Sequence, residues 1–393
     1  MPNVPSDRRA DLDWIRVGAF ALLILYHVGM FYVTWDWHVK SPRASHALEP
    51  LMVLTNPWRL TLLFFVSGAA TRFIFDKAPS PGGLARQRTA RLLPPLLLAM
   101  FVIVPPQTWY EISEQAPQLA LPFPAFYAKY VTASGGWCAP EGCLITPTWN
   151  HMWFVAYLLV YTLLLALALR ACPRLGERIS ALLDRLPAWI FLAAPVAIFA
   201  LLRLTLQPVF GSTHALVDDW YEHPMNLFAL LLGYGYAKSD RARDGAISLR
   251  WVALALWLGG WALYAAFVAR YAEATPSETM LRLARILFAV QQWSAVVAVL
   301  GFGAKHLNRG GPVLRYLTLG VFPFYLVHQT IIVIAGHHLA RANLPIGVEG
   351  ALLVALTAAG CWATYELARR AGPLAGWFGL KPERRLRPAA AAA

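Results

Sequence analysis

Stretches of about twenty predominantly apolar residues recur ten times along the chain, and they constrain its fold more than any other feature. A helix needs about 20 such residues to cross the hydrocarbon core of a bilayer. Within that core each backbone N–H and C=O must be satisfied, which a helix does internally. The stretches lie near 12–33, 57–75, 91–112, 150–171, 188–206, 224–238, 250–270, 281–304, 313–335 and 347–371, the sixth being the shortest. Charged residues make up only 14% of the chain, against about 25% in a soluble domain. The 16 Trp and 15 Tyr suit two membrane–water interfaces, where amphipathic rings settle. The expected fold is an all-α integral membrane protein with about ten transmembrane helices.

Arg8 and Arg9 precede the first apolar stretch, which is too long for the apolar region of a signal peptide and is followed by no close cleavage site. It reads as a retained helix. The net charge of +13 does not indicate nucleic-acid binding, because the excess sits in alternate loops. With the N-terminus inside, 25 of the 34 basic residues fall on the inner side, 8 on the outer, and Arg203 lies within a span. The positive-inside rule then predicts both termini in the cytoplasm. The longest outer loop, near 113–149, carries Cys138 and Cys143; in an oxidising compartment the pair either forms a disulfide or remains two thiols. Cys172 and Cys361 lie at or in helices. One membrane domain is expected over 1–375, followed by a basic, Ala-rich tail over 376–393 without fixed structure.

Ionisable residues inside a membrane are costly and mark functional sites. The first helix carries Asp13, Arg16 and His27. Arg16 and His27 are eleven residues apart, three turns plus about 20°, and so share one face. Asp13 and Arg16 are three apart and neighbours on that stripe. The pattern predicts an Asp–Arg pair near the inner surface with a histidine about 16 Å deeper, where a neutral-pH base is shielded from bulk water. The plainer alternative is a snorkelling ion pair and a histidine satisfied by a neighbouring helix. His328 lies at a similar depth in its own helix, so the two histidines are candidates for one site. No metal-ligand spacing appears, and the adjacent His337 and His338 point apart on a helix.

These segments resemble the membrane-bound acyltransferase-3 family. Arg16-x10-His27 resembles its first-helix signature, and Phe64-Phe65-Val66-Ser67-Gly68 its second-helix motif. Arg86-x-Arg88-x-x-Arg91-Leu92-Leu93-Pro94-Pro95 resembles the basic loop entering the third helix. His151-Met152-Trp153-Phe154-Val155 resembles the fourth-helix entry, and Tyr325-x-x-His328-Gln329 the late Tyr-x-x-His motif. Trp-Phe after His151 and His-Gln after Tyr325 favour the branch that modifies periplasmic glucans by succinyl transfer. The O-antigen acetylase branch carries a glutamate where this chain has Leu158.

The resemblance implies a multi-pass enzyme of the bacterial inner membrane that moves an acyl group from cytoplasmic acyl-CoA to a hydroxyl, often on an extracytoplasmic glycan or lipid-linked glycan. Membrane lipids would surround it, and no permanently bound cofactor is implied. It assigns His27, Arg16, Asp13 and His328 to catalysis, with His27 as base or transient acyl carrier. Arg86, Arg88 and Arg91 would hold the CoA phosphates, because arginine binds them bidentately; at least one of the three fits an ordinary positive-inside residue as well. The pantetheine arm would run along the bundle toward His27. His151, Trp153 and Tyr325 would meet the acceptor. Ser67 is an oxyanion donor or, with Gly68, part of close helix packing, and packing is the favoured reading. A succinyl group would need a cation for its free carboxylate; Arg59, Arg203, Arg282 and Arg285 are candidates among which the sequence does not choose. The rivals are a transporter or flippase without acyl chemistry, and a sensor or scaffold that tolerates loss of both histidines.

Overall fold

The computed structural model describes residues 9–139 and 142–380. Arg8 and the tail from 381 onward, with Lys381, Arg384, Arg385 and Arg387, lie outside the described residues. The helices are α1 (Ala10–Met30), α2 (Glu49–Thr55), α3 (Arg59–Lys77), α4 (Pro81–Leu98), α5 (Pro105–Gln115), α6 (Phe123–Val131), α7 (Trp153–Ala171), α8 (Leu175–Arg185) and α9 (Ala188–Thr205). They continue as α10 (Gln207–Phe210), α11 (Glu222–Tyr236), α12 (Asp240–Arg270), α13 (Glu278–His306), α14 (Pro312–Arg341) and α15 (Ile346–Arg370). Two short strands, β1 (Cys138–Ala139) and β2 (Gly142–Cys143), pair antiparallel with Cys138 opposite Cys143, and those cysteines form a disulfide. The all-α architecture expected is the one observed.

Among the described residues, nine helical segments are long and apolar enough to cross a membrane. The sixth expected span is α11, and its 15 residues rise only about 22 Å. A helix surrounded by neighbours need not present an apolar surface to lipid, and α11 buries Asn226, Gly233, Tyr234 and Tyr236.

The chain divides into two compact units, Met1–Arg88 with Trp153–Thr318, and Thr89–Met152 with Leu319–Ala393. In the first, α3 and α11 touch backbone to backbone. A Cβ at Gly68 would collide with the Leu230 carbonyl, and one at Gly233 with the Phe65 carbonyl. Phe64, Phe65, Tyr236 and Trp293 fill the centre, and the Trp293 indole donates to Phe191 O at 2.8 Å. The Trp257 and Trp261 indoles donate to Leu54 and Pro50 carbonyls, joining α12 to α2.

In the second unit, Pro94 and Pro95 interrupt the hydrogen-bond ladder of α4, since proline has no N–H. A π-helical turn over Ala99–Ile103 follows, and α5 restarts with Pro105 at its first position, where that loss is harmless. Ile112, Phe126, Tyr130 and Trp137 form a core under the disulfide hairpin. Helices α14 and α15 meet through Phe324, Tyr365 and Cys361. The tail expected from 376 begins ordered: Gly372–Phe378 is a 3-10 segment, and Gly379, at φ +70°, lies against the Phe322 ring.

Candidate functional site

In the first unit, α1 carries the predicted stripe. The Arg16 guanidinium donates to Asp13 Oδ1 at 3.1 Å, with both side chains partly buried. His27 is half-buried, and its ring stands edge-on to Tyr26 with centroids 6.0 Å apart. A second ion pair went unread in the sequence: Arg9 grips the buried carboxylate of Asp11 through Nε at 2.9 Å and Nη2 at 2.7 Å. An apolar cavity of about 410 Å³ lies beside α1, lined by Trp14, Gly18, Leu22, Trp58, Trp257 and His306 among others. At 100° per residue the face of Trp14, Gly18 and Leu22 is roughly opposite that of Asp13, Arg16 and His27. An arm running to His27 along that stripe is therefore not one lying in this cavity.

The predicted arginine cluster divides. Arg88 is buried and donates to Thr71 Oγ1, whose hydroxyl in turn donates to Ser67 O at 2.7 Å. It holds the start of α4 against α3. Arg86 is exposed in the same unit, and Arg91, also exposed, belongs to the second. Ser67–Gly68 sits at the α3–α11 contact, in keeping with the packing reading. Trp153 stacks on His214 with ring centroids 4.2 Å apart and packs on Tyr157 and Phe64, so it belongs to an aromatic cluster of the first unit.

The second unit joins three residues to which the sequence gave separate roles. His151 and His328 are buried, with rings 5.1 Å apart and perpendicular. The Tyr325 hydroxyl donates to the His151 carbonyl. His328 Nδ1 lies 2.7 Å from Tyr325 O, and His151 Nε2 lies 3.1 Å from Leu326 O. A carbonyl only accepts, so each of those nitrogens carries hydrogen. In the neutral rings the basic lone pairs are then on His328 Nε2 and His151 Nδ1.

A polar network missed in the sequence surrounds this pair. Gln107 accepts from Asn150 at 3.0 Å and from Gln329 at 3.1 Å, and donates to Thr330 at 2.6 Å. Thr330 donates to Ile103 O in the π turn, a geometry frequent at functional sites. Asn150 adopts φ +40°, which Asn tolerates better than most residues, and this turns the chain immediately before His151. The adjacent Gln329 and Thr330 were the available signal, because polar pairs inside a span need partners. His337 and His338 both flank Tyr110, and His337 Nδ1 contacts Glu114 at 2.5 Å. Among the described residues, no group of three or more His, Cys, Asp or Glu is placed to hold a metal ion.

An acyltransferase domain of the acyltransferase-3 type matches residues 9–366. Glucans biosynthesis protein C of Salmonella paratyphi B is 28% identical over 167 residues, 41% of this chain and 39% of the relative. The proteins of the same name from Salmonella heidelberg and Salmonella agona match to the same extent. The match thus spans well under two thirds of those relatives' length. No solved structure matches.

Proposed function

Because the chain belongs to the acyltransferase-3 family, we propose that it moves a succinyl or acetyl group from cytoplasmic acyl-CoA to a hydroxyl of an extracytoplasmic glycan, using His27. The observation that carries this is the α1 stripe, an Asp13–Arg16 ion pair in register with a half-buried histidine. The proposed setting is the bacterial inner membrane, with both termini in the cytoplasm and the basic loops facing CoA. The name of the Salmonella relatives supports a glucan acceptor.

In the proposed step the His27 imidazole takes the proton of the acceptor hydroxyl while its oxygen bonds to the thioester carbon. The C–S bond breaks, and the CoA thiolate leaves with the proton from His27. The products are an ester and free CoA. If His27 instead carries the acyl group, its nitrogen bonds to the thioester carbon and the C–S bond breaks to release CoA thiolate; the acceptor oxygen then bonds to that carbon, the C–N bond breaks to free the imidazole, and the hydroxyl proton goes to the thiolate. Asp13 orients Arg16 in both versions. Arg86 and Arg91 are the exposed phosphate contacts, with Arg88 holding the helix that carries them. His151, Tyr325 and His328 are proposed to serve the acceptor side.

Purified protein in proteoliposomes, given acyl-CoA and an oligoglucan, tests this. Acceptor-dependent release of CoA thiol is expected from the wild type, and His27→Ala lowers it by about 10²–10⁴-fold, as for loss of a general base. Equal release by the two proteins would remove His27 from the mechanism.

A further inference from the structure

The structure separates the four arginines between which the sequence could not choose. Arg282 is exposed and paired with Glu278. Arg285 pairs with the same Glu278 and with Gln207. Arg203 is half-buried, its guanidinium 3.5 Å from the Phe288 ring centroid. Arg59 differs from all three. It is 4% exposed, makes no ion pair with a carboxylate among the described residues, and has Nε and Nη1 buried without a hydrogen-bond partner.

A buried arginine without an anion is one of the most costly groups a membrane protein can hold. Its guanidinium lies on Tyr26, whose ring centroid is 3.1 Å from Cζ. That ring covers one face of the guanidinium and favours the cation, but it leaves the N–H edges that grip carboxylates. Tyr26 is the residue before His27, and the two rings are 6.0 Å apart. Arg59 also opens α3, where the helix dipole adds to the positive potential.

We infer that Arg59 is the anchor for a free carboxylate on the acyl group being transferred, so that the enzyme takes half-thioesters of short dicarboxylic acids; this rests on His27 being the site of transfer. Length supports it. Four carbons in line span three bonds, about 3.8 Å from first to last by analogy with successive Cα atoms. The guanidinium and the His27 ring lie 3.1 and 6.0 Å from the Tyr26 centroid, so they are at most about 9 Å apart, and a polar contact of about 3 Å at each end lets the chain span that gap. An acetyl group has neither the length nor the charge. The CoA phosphates do not compete for Arg59, because it lies 18 residues of α3 away from Lys77 at the basic end of that helix, about 27 Å.

The test compares succinyl-CoA with butyryl-CoA, of the same chain length but with a methyl in place of the carboxylate, in proteoliposomes of the wild type, Arg59→Met and Arg59→Lys. The wild type is expected to favour succinyl over butyryl by about 10- to 100-fold, the worth of a charge-assisted contact. Arg59→Met collapses that ratio toward one, and Arg59→Lys retains part of it. A wild-type ratio near one, or a ratio unmoved in Arg59→Met, overturns the inference while leaving acyl transfer standing. If neither thioester is consumed, the transfer reading falls, and thermal stabilisation of the wild type then decides on Arg59. Stabilisation by succinyl-CoA above butyryl-CoA upholds the anion site, and equal or absent stabilisation overturns it. Should Arg59→Met fail to fold, the wild-type ratio with Arg59→Lys decides in the same way.

Discussion

The Arg16 guanidinium donates to Asp13, whereas that of the buried Arg88 donates to Thr71 Oγ1. Asp13 and Arg16 were legible in the sequence because neighbours three apart on a helix meet whatever the tertiary fold. The Arg88–Thr71 bond, the Arg59–Tyr26 stack and the His151–His328 contact join residues 17 to 177 positions apart, and one sequence carries no signal for such pairs. Arg88→Ala is therefore expected to act on stability, costing about 1–3 kcal/mol through the donor lost to Thr71 Oγ1 and the loosened start of α4. A lower melting temperature at unchanged affinity for acyl-CoA supports this; weaker CoA binding at unchanged stability contradicts it. Lys40, in the loop after α1, donates to the Met30 and Val33 carbonyls at 2.8 Å each, and burial pushes its pKa down to about 8. The unfolded chain keeps that proton to about 10.4. Between these values the unfolded state binds more protons, so Lys40 makes the folded state more stable as pH climbs from about 8 to about 10, and contributes no pH dependence well below 8. A methyl-lysine NMR titration with one midpoint near 8 is expected. A midpoint above 10 for Lys40 contradicts its burial.

At the scale of the element, lipid made the long helices readable. Span length and hydropathy are fixed by the bilayer, so α1, α7, α9, α13, α14 and α15 fall within a few residues of their expected bounds, except where α14 runs on to Arg341. The short helices α2, α6 and α8 and the π turn owe their existence to packing, and periodicity alone does not reveal them. Helix α11 is short because its neighbours, not lipid, surround it. Its docking depends on Gly68 and Gly233, where any side chain meets a backbone carbonyl. Gly68→Ala is expected to cost at least about 1–3 kcal/mol by overpacking, seen as a lower thermal midpoint in detergent; an unchanged midpoint would show that the two helices can separate freely. Gln107→Leu strips an acceptor from Asn150 and Gln329 at once. Each lost amide contact costs about 0.5–1.5 kcal/mol, and the fall in thermal midpoint is expected to exceed that of Gln329→Leu alone; an equal fall would show that Asn150 gains nothing from Gln107.

At the scale of the whole molecule, the charge count orders the loops and the disulfide fits the same topology. Cys138 and Cys143 are bonded in the loop expected outside, where oxidation is permitted, while Cys172 and Cys361 are free. Phosphatase fusions after residue 139 should be active and fusions at the C-terminus inactive; the reverse pattern would invert the topology and place His27 near the wrong surface. The division into two units was not visible in the hydropathy pattern, because both units meet lipid by the same rules. The motifs legible as a set are distributed between them, with His27 and Trp153 in one and His151, Tyr325 and His328 in the other. The most direct test of ester transfer through His27 is mass spectrometry of extracytoplasmic glycans from cells expressing the wild type or His27→Ala at equal protein level. An ester mass increment, that of a dicarboxylic half-ester, is expected in the first and none in the second. Identical glycans in both, with the wild type folded in the membrane, would contradict it.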